Sequence, residues 1–155
     1  MNDRTFEKFI VRALKQQSYI EAISLLHNTI EIYLQYRVLR HLTDGKPMEY
    51  YIKKRQKIKS GGKQNSLVIL AEVCHLFDII DDSTFTKIKT FNRGRNDVIH
   101  NLLETELVYS EIQSIARLGR EIQLKLSPFD WDEPTINQVM SYFDNPEKIP
   151  EEDLP

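Results

Sequence analysis

Apolar residues recur at three- and four-residue steps along most of this chain, and nowhere in the strict alternation of a half-buried strand. Phe6, Phe9, Ile10, Ala13 and Leu14 mark a first amphipathic helix. Ser18 and Glu21 have the spacing of a capping box, in which the serine oxygen takes the N3 amide and the glutamate returns to the cap amide. The helix opened there is expected to run from Tyr19 to Leu42. Its stripe of Ile20, Ile23, Leu26, Ile30, Tyr33, Leu34, Val38 and Leu42 is flanked by Leu25, Ile32, Tyr36 and Leu39. A helix apolar over so wide an arc belongs at the centre of a bundle, contacted from several sides. Asp44-Gly45-Lys46-Pro47 then ends it.

Ser66 reads as the next N-cap, ahead of Leu67, Leu70, Ala71, Cys74 and Phe77. After Asp81-Asp82-Ser83, a fourth helical pattern begins at Phe85, Ile88 and Phe91 and continues toward His100. Ser110 with Gln113 suggests a second capping box before Ile112, Ile115, Ala116, Ile122 and Leu126, and Pro128 stops that helix. Beyond it prolines recur and periodicity fades, apart from one short helix expected over Thr135 to Phe143. The final ten residues are expected to be mobile. The expected architecture is all-α: a four- to five-helix bundle over residues 1–127, then an acidic, proline-containing tail over 128–155.

Charge sharpens this picture. The whole chain carries −2, but residues 128–155 hold eight acids and one lysine, 1 − 8 = −7, which leaves −2 + 7 = +5 on the remainder. Between Lys46 and Lys63 lie seven basic residues against one acid, with Tyr50 and Tyr51 among them. Lys53, Lys54, Arg55, Lys57 and Lys59 are thereby the candidate contacts to an RNA backbone, with the tyrosines available to stack on bases. The plainer reading of the same lysines is a solvated surface. The acidic tail reads either as a solubilising appendage or as a segment that folds back over the basic site. A single cysteine, Cys74, permits no intramolecular disulfide and points to a reducing compartment. With no apolar leader at Met1 and no run of membrane-spanning length, a cytoplasmic location is expected.

One stretch carries candidate chemistry: Phe91-Asn92-Arg93-Gly94-Arg95-Asn96-Asp97-Val98-Ile99-His100-Asn101-Leu102. It resembles the signature of the HEPN superfamily, an Arg, usually followed by a polar residue, then a His after four to six intervening residues, near the start of a helix in an all-α bundle. The resemblance extends over roughly residues 4–126, with Ala22 to Leu34 similar to the family's second helix. It implies a metal-independent endoribonuclease that needs no cofactor and acts as a homodimer, often as a toxin or defence effector. RNA, a second copy of the chain and an antitoxin or regulatory protein are the partners it implies. The residue two places after His100 is Leu102, whereas one branch of the family carries there a tyrosine that can be nucleotidylated.

The residue types suit the chemistry independently of the family. Cleaving RNA through its own 2′-hydroxyl needs a proton acceptor and a cation for the charge developing on phosphorus. Histidine serves the first role and later returns a proton to the leaving oxygen; arginine serves the second with a forked, permanent charge. His100, Arg95 and Asn96 are the candidates, Asn96 sharing a helical face with His100 at i,i+4. Geometry complicates the pairing. On one regular helix Arg95 and His100 stand about 140° apart, while Arg93 and His100, at i,i+7, are nearly eclipsed. Either Gly94 interrupts the helix, or the pair forms between two copies, or Arg93 is the partner; Arg95 is preferred because Asn follows it.

Glu31, an acid in a largely apolar helix, either positions Arg95 or His100 or makes a structural ion pair. His27 falls on the core stripe and reads as a core histidine, His41 suits a helix C-terminus, and His75 shares no face with Cys74. No zinc spacing, phosphate-cradling glycine loop or Ser/Cys nucleophile motif occurs. Two other function classes stay open: a catalytically inert module that binds RNA, a nucleotide or a protein, and a purely structural dimerisation domain.

Overall fold

A computed structural model describes residues 3–42, 67–101, 108–129 and 131–150. The basic candidates Lys53, Lys54, Arg55, Lys57 and Lys59, the expected stop at 44–47, the Ser66 cap and Leu102 lie outside the described residues. Among those described there are six α-helices and no strand: α1 (Asp3–Lys15), α2 (Tyr19–Leu42), α3 (Leu67–Leu76), α4 (Asp82–Asn101), α5 (Tyr109–Leu126) and α6 (Glu133–Ser141). A 3-10 turn follows at Pro146–Lys148.

The wide apolar arc of α2 places it at the centre. It packs against α1, α3, α4 and α5, most extensively against α5, and buries Ala22, Ile23, Leu26, Ile30 and Leu34. Ile20 and Leu42, at its two ends, are instead exposed. Arg37 reaches from α2 to the carbonyls of Lys125 and Leu126 at 3.5 and 3.3 Å. A cation thus meets the carbonyls that the last turn of α5 leaves unpaired.

The helix ends show why the chain turns where it does. At the end of α1, Gln17 sits at φ 54° while Ser18 N–H donates to the Ala13 carbonyl (2.8 Å) and Gln17 N–H to that of Leu14 (3.0 Å). Asp78, also at φ 54°, repeats this after α3, with Ile79 donating to Cys74 (2.8 Å) and Asp78 to His75 (3.1 Å). Both are Schellman turns, here without the usual glycine. Asp81 caps α4 by accepting from Thr84 N–H at 2.7 Å, and its other oxygen meets Lys125 Nζ at 2.9 Å. Those contacts hold its carboxyl well below the usual carboxylate range. The second expected capping box does not form. Val108 precedes α5 with no side-chain cap, and Gln113 donates to Tyr19 Oη (3.3 Å) and the Phe143 carbonyl (2.9 Å). Those two acceptors hold its amide.

Two glycines set how closely α4 and α5 approach. A Cβ on Gly119 would lie 2.5 Å from Phe91 Cε2, and one on Gly94 would lie 2.8 Å from Ile115 Cγ1. Each helix therefore offers a notch to an apolar side chain of the other. A buried ion pair ties α5 to α1: Arg120, 1% exposed, donates to both Glu7 carboxylate oxygens and, at 2.7 Å, to Gln123 Oε1.

The segment expected as an appended tail is docked on the bundle. Phe143 and Ile149 are buried in the common core, with Met140 and Tyr142 packed beside them. Asp132 caps α6 through Thr135 N–H (2.8 Å), Arg117 pairs with Asp144 (3.0 Å), and Lys15 Nζ donates to the Ile149 carbonyl (3.4 Å). Residues up to 150 belong to this core, because a few large apolar side chains suffice to dock a segment without helical periodicity.

Candidate functional site

The candidate stretch occupies the last turns of α4, which runs unbroken through Gly94. Of the alternatives left open, an interruption at Gly94 is absent, since Gly94 makes room for Ile115, and the stretch lies at the end of its helix rather than near the start that the resemblance implies. On this regular helix Arg95 and His100 keep the separation of about 140° that the wheel requires. Arg93, Asp97 and His100 are exposed, whereas Arg95 and Asn96 are half-buried. Ile99, beside His100, is 38% exposed.

Arg95 Nη1 donates to Asn96 Oδ1 at 3.0 Å, which fixes the guanidinium against its neighbour. Its Nε is shielded from water and has no hydrogen-bond partner among the described residues. The guanidinium lies close enough to α2 for its charge to act on His27. Burial first, and then the positive charge of Arg95, push the His27 pKa below its ordinary 6.5, so His27 stays neutral near physiological pH. His27 is half-buried, not a core residue, and Glu31 one turn further along α2 is half-buried as well. One chain therefore joins Arg95, Asn96 and His27 into a cluster and leaves His100 and Arg93 on the outside. Asn96 links the two groups: it holds Arg95 and lies one turn before His100, on the same face.

Between α4 and α5 a groove of about 490 Å³ is lined by Gly94, Asp97, Asn101, Ser110, Glu111 and Ser114. Its two acids make it a poor seat for a phosphate backbone. Among the described residues no group of three or more His, Cys, Asp or Glu gathers to hold a metal, and no helix is long and apolar enough to cross a membrane. His75 stacks flat on Phe85, with ring centres 4.5 Å apart, and its Nε2 is 3.5 Å from Asp82 Oδ1.

The sequence reading missed the closeness of His27 to Arg95 and the burial of Arg120. The second had a signal: Arg120 continues the Ile112, Ala116 stripe at i+4, where a charge demands a buried partner. The first had none, because facing residues on different helices share no spacing. Comparison with protein-family models, with curated proteins and with solved structures gave no match for this chain.

Proposed function

We propose that this chain is a metal-independent endoribonuclease of HEPN type, acting as a homodimer through the end of α4. The observation that supports it most is the division of that helix end. Asn96 Oδ1 holds the Arg95 guanidinium at 3.0 Å, while His100, one turn on, stands exposed. In the proposed reaction His100 takes the proton of the RNA 2′-hydroxyl, and that oxygen forms a bond to phosphorus. The P–O5′ bond breaks, a proton returns to the departing 5′-oxygen, and the products are a 2′,3′-cyclic phosphate and a 5′-hydroxyl. Arg95 steadies the charge on the phosphate oxygens. Because Arg95 and His100 diverge on one helix, a second copy supplies the partner of each. Arg93, on the face of His100, is the reserve cation, and Glu31 the reserve for orienting Arg95.

The test is cleavage of single-stranded RNA in EDTA with analysis of the product ends. Cyclic phosphates from the wild type, lost in His100→Ala and reduced at least about a hundredfold in Arg95→Ala, are expected. Full activity of His100→Ala, or strict dependence on a divalent metal, overturns the reading. Growth arrest on expression, relieved by His100→Ala, tests the toxin or defence role.

The turn of Arg95 toward α2 favours a second reading, in which the cluster stabilises the bundle and the chain binds RNA or a protein without cleaving. Salt-sensitive RNA binding with no cleavage at high protein concentration marks that outcome.

A further inference from the structure

A second cleft lies away from the candidate site. It has a volume of about 670 Å³ and sits between the last turns of α2, the turn after α3 and the end of α5. Its lining includes Tyr36, Arg37, Arg40, His41, Phe77 and Asp78. It opens around Arg37 and His41, whereas Arg95 acts on His27. The ten residues from 27 to 37 place it about 15 Å along α2 from that cluster.

Its chemistry combines cations with open aromatic faces. Arg37 is fixed on the α5 carbonyls, and Arg40 is exposed, with no acid paired to it among the described residues. Asp78 is the only acid among the described residues of the lining. Phe77 is 51% exposed, an unfavourable place for a phenyl ring, and stands 5.5 Å from the His41 ring, tilted by 48°. The Schellman turn at Asp78 closes the helix directly behind it. Leu126 and Ile79 give the cleft an apolar part. A volume of this size suits a drug-sized ligand. Cations beside stacking faces suit a ligand that is anionic at one end and flat at the other.

We infer that this cleft is a nucleotide-binding site, with the base on Phe77 and His41 and the phosphate on Arg40. The occupant is a nucleoside monophosphate, either free or as one unit of an RNA strand. This assignment stands apart from cleavage at His100.

The experiment measures binding of UMP by calorimetry and of a fluorescent single-stranded RNA by anisotropy, using the His100→Ala protein so that the RNA stays intact. Phe77→Ala is expected to weaken binding about tenfold, within the range for loss of one stacked base. Arg40→Glu, a change at an exposed side chain that leaves the core untouched, is expected to weaken RNA binding and lower the slope of log K against log salt by about 0.7 or more. If UMP binds and competes with RNA, the site takes the free nucleotide as well. If only RNA binds, and Phe77→Ala weakens it, the site reads a strand. Wild-type affinity for both ligands in Phe77→Ala and Arg40→Glu, or no binding of either ligand by the unaltered cleft, overturns the assignment. Absence of cleavage by the wild type alongside intact binding defeats the ribonuclease reading alone.

Discussion

Replacing Gly119 with alanine adds one methyl group where α5 meets Phe91. The new Cβ would lie 2.5, 2.9 and 3.1 Å from three carbons of that ring, against the 3.4–4 Å of ordinary contact. Phe91 is 0% exposed, so a rigid ring with two rotatable bonds has to move by about an ångström inside a closed core. Overpacking of this kind costs about 1–3 kcal/mol. Alanine in mid-helix returns about 0.5–1 kcal/mol relative to glycine. With three ring atoms in conflict the overpacking lies at the upper end of its range, about 3 kcal/mol, and the net loss is about 2 kcal/mol. For a chain of this size that lowers Tm by about 4–8 °C. Differential scanning calorimetry of Gly119→Ala, Phe91→Leu and the double variant supplies the assay. Phe91→Leu is expected to destabilise the wild type by opening a cavity but to recover stability in the Gly119→Ala background. Gly94→Ala is the internal comparison. There the methyl meets the aliphatic Ile115, partly exposed and free to rotate, so a change near zero is expected. A Tm for Gly119→Ala at or above the wild type, or an equal loss from Phe91→Leu in both backgrounds, refutes the reasoning.

Glu7→Gln leaves the buried Arg120 guanidinium without a counter-charge and is expected to cost about 3 kcal/mol by urea denaturation; Arg120→Met with Glu7→Leu is expected to cost less. A chain ending at Ser127 loses the burial of Phe143 and Ile149, at about 1.5–3 kcal/mol each, and should unfold at much lower urea, whereas a true tail would leave the midpoint unchanged. The folded pKa of His27 lies below its ordinary 6.5, so the fold binds fewer protons than the unfolded chain just under that value. Its contribution is full above about pH 6.5 and lost as pH falls through the folded pKa; in Arg95→Ala, NMR titration should show the His27 pKa moving up. Burial, and next the Tyr109 side chain, push the Tyr19 hydroxyl up to about 12, so its contribution is full below pH 10 and lost as pH rises toward 12, which ultraviolet titration of Tyr19→Phe against the wild type reads.

The central place of α2 was legible because Ile23, Leu26, Ile30, Tyr33 and Leu34, five residues of the apolar stripe, are buried as the pattern requires. The candidate stretch was legible for the same local reason, since Arg95, Asn96 and His100 are neighbours on one helix. The turns after α1 and α3 were not, because Gln17 and Asp78 occupy left-handed positions where glycine is the usual signal. At Gly94 a break was one of the readings left open, and the glycine serves instead as a notch. The docking of Phe143 and Ile149 was hidden by the prolines around them, which erase the periodicity that marks a buried face. Which imidazole lies near Arg95 depends on how α2 crosses α4, a property of the whole core that no local spacing encodes.

The pairing of Glu7 with Arg120 also bears on how the chain comes to be folded. The two are 113 residues apart, and Lys15 and Ile149 are 134 apart. At a synthesis rate of about 5–20 residues per second, α1 waits roughly 6–20 s for its counter-ion to be made. Through that interval α2, made directly after it, is the surface that its apolar face can cover. The packing of α1 on α2 can therefore form early, while its ion pair with Arg120 closes only once α5 has been made.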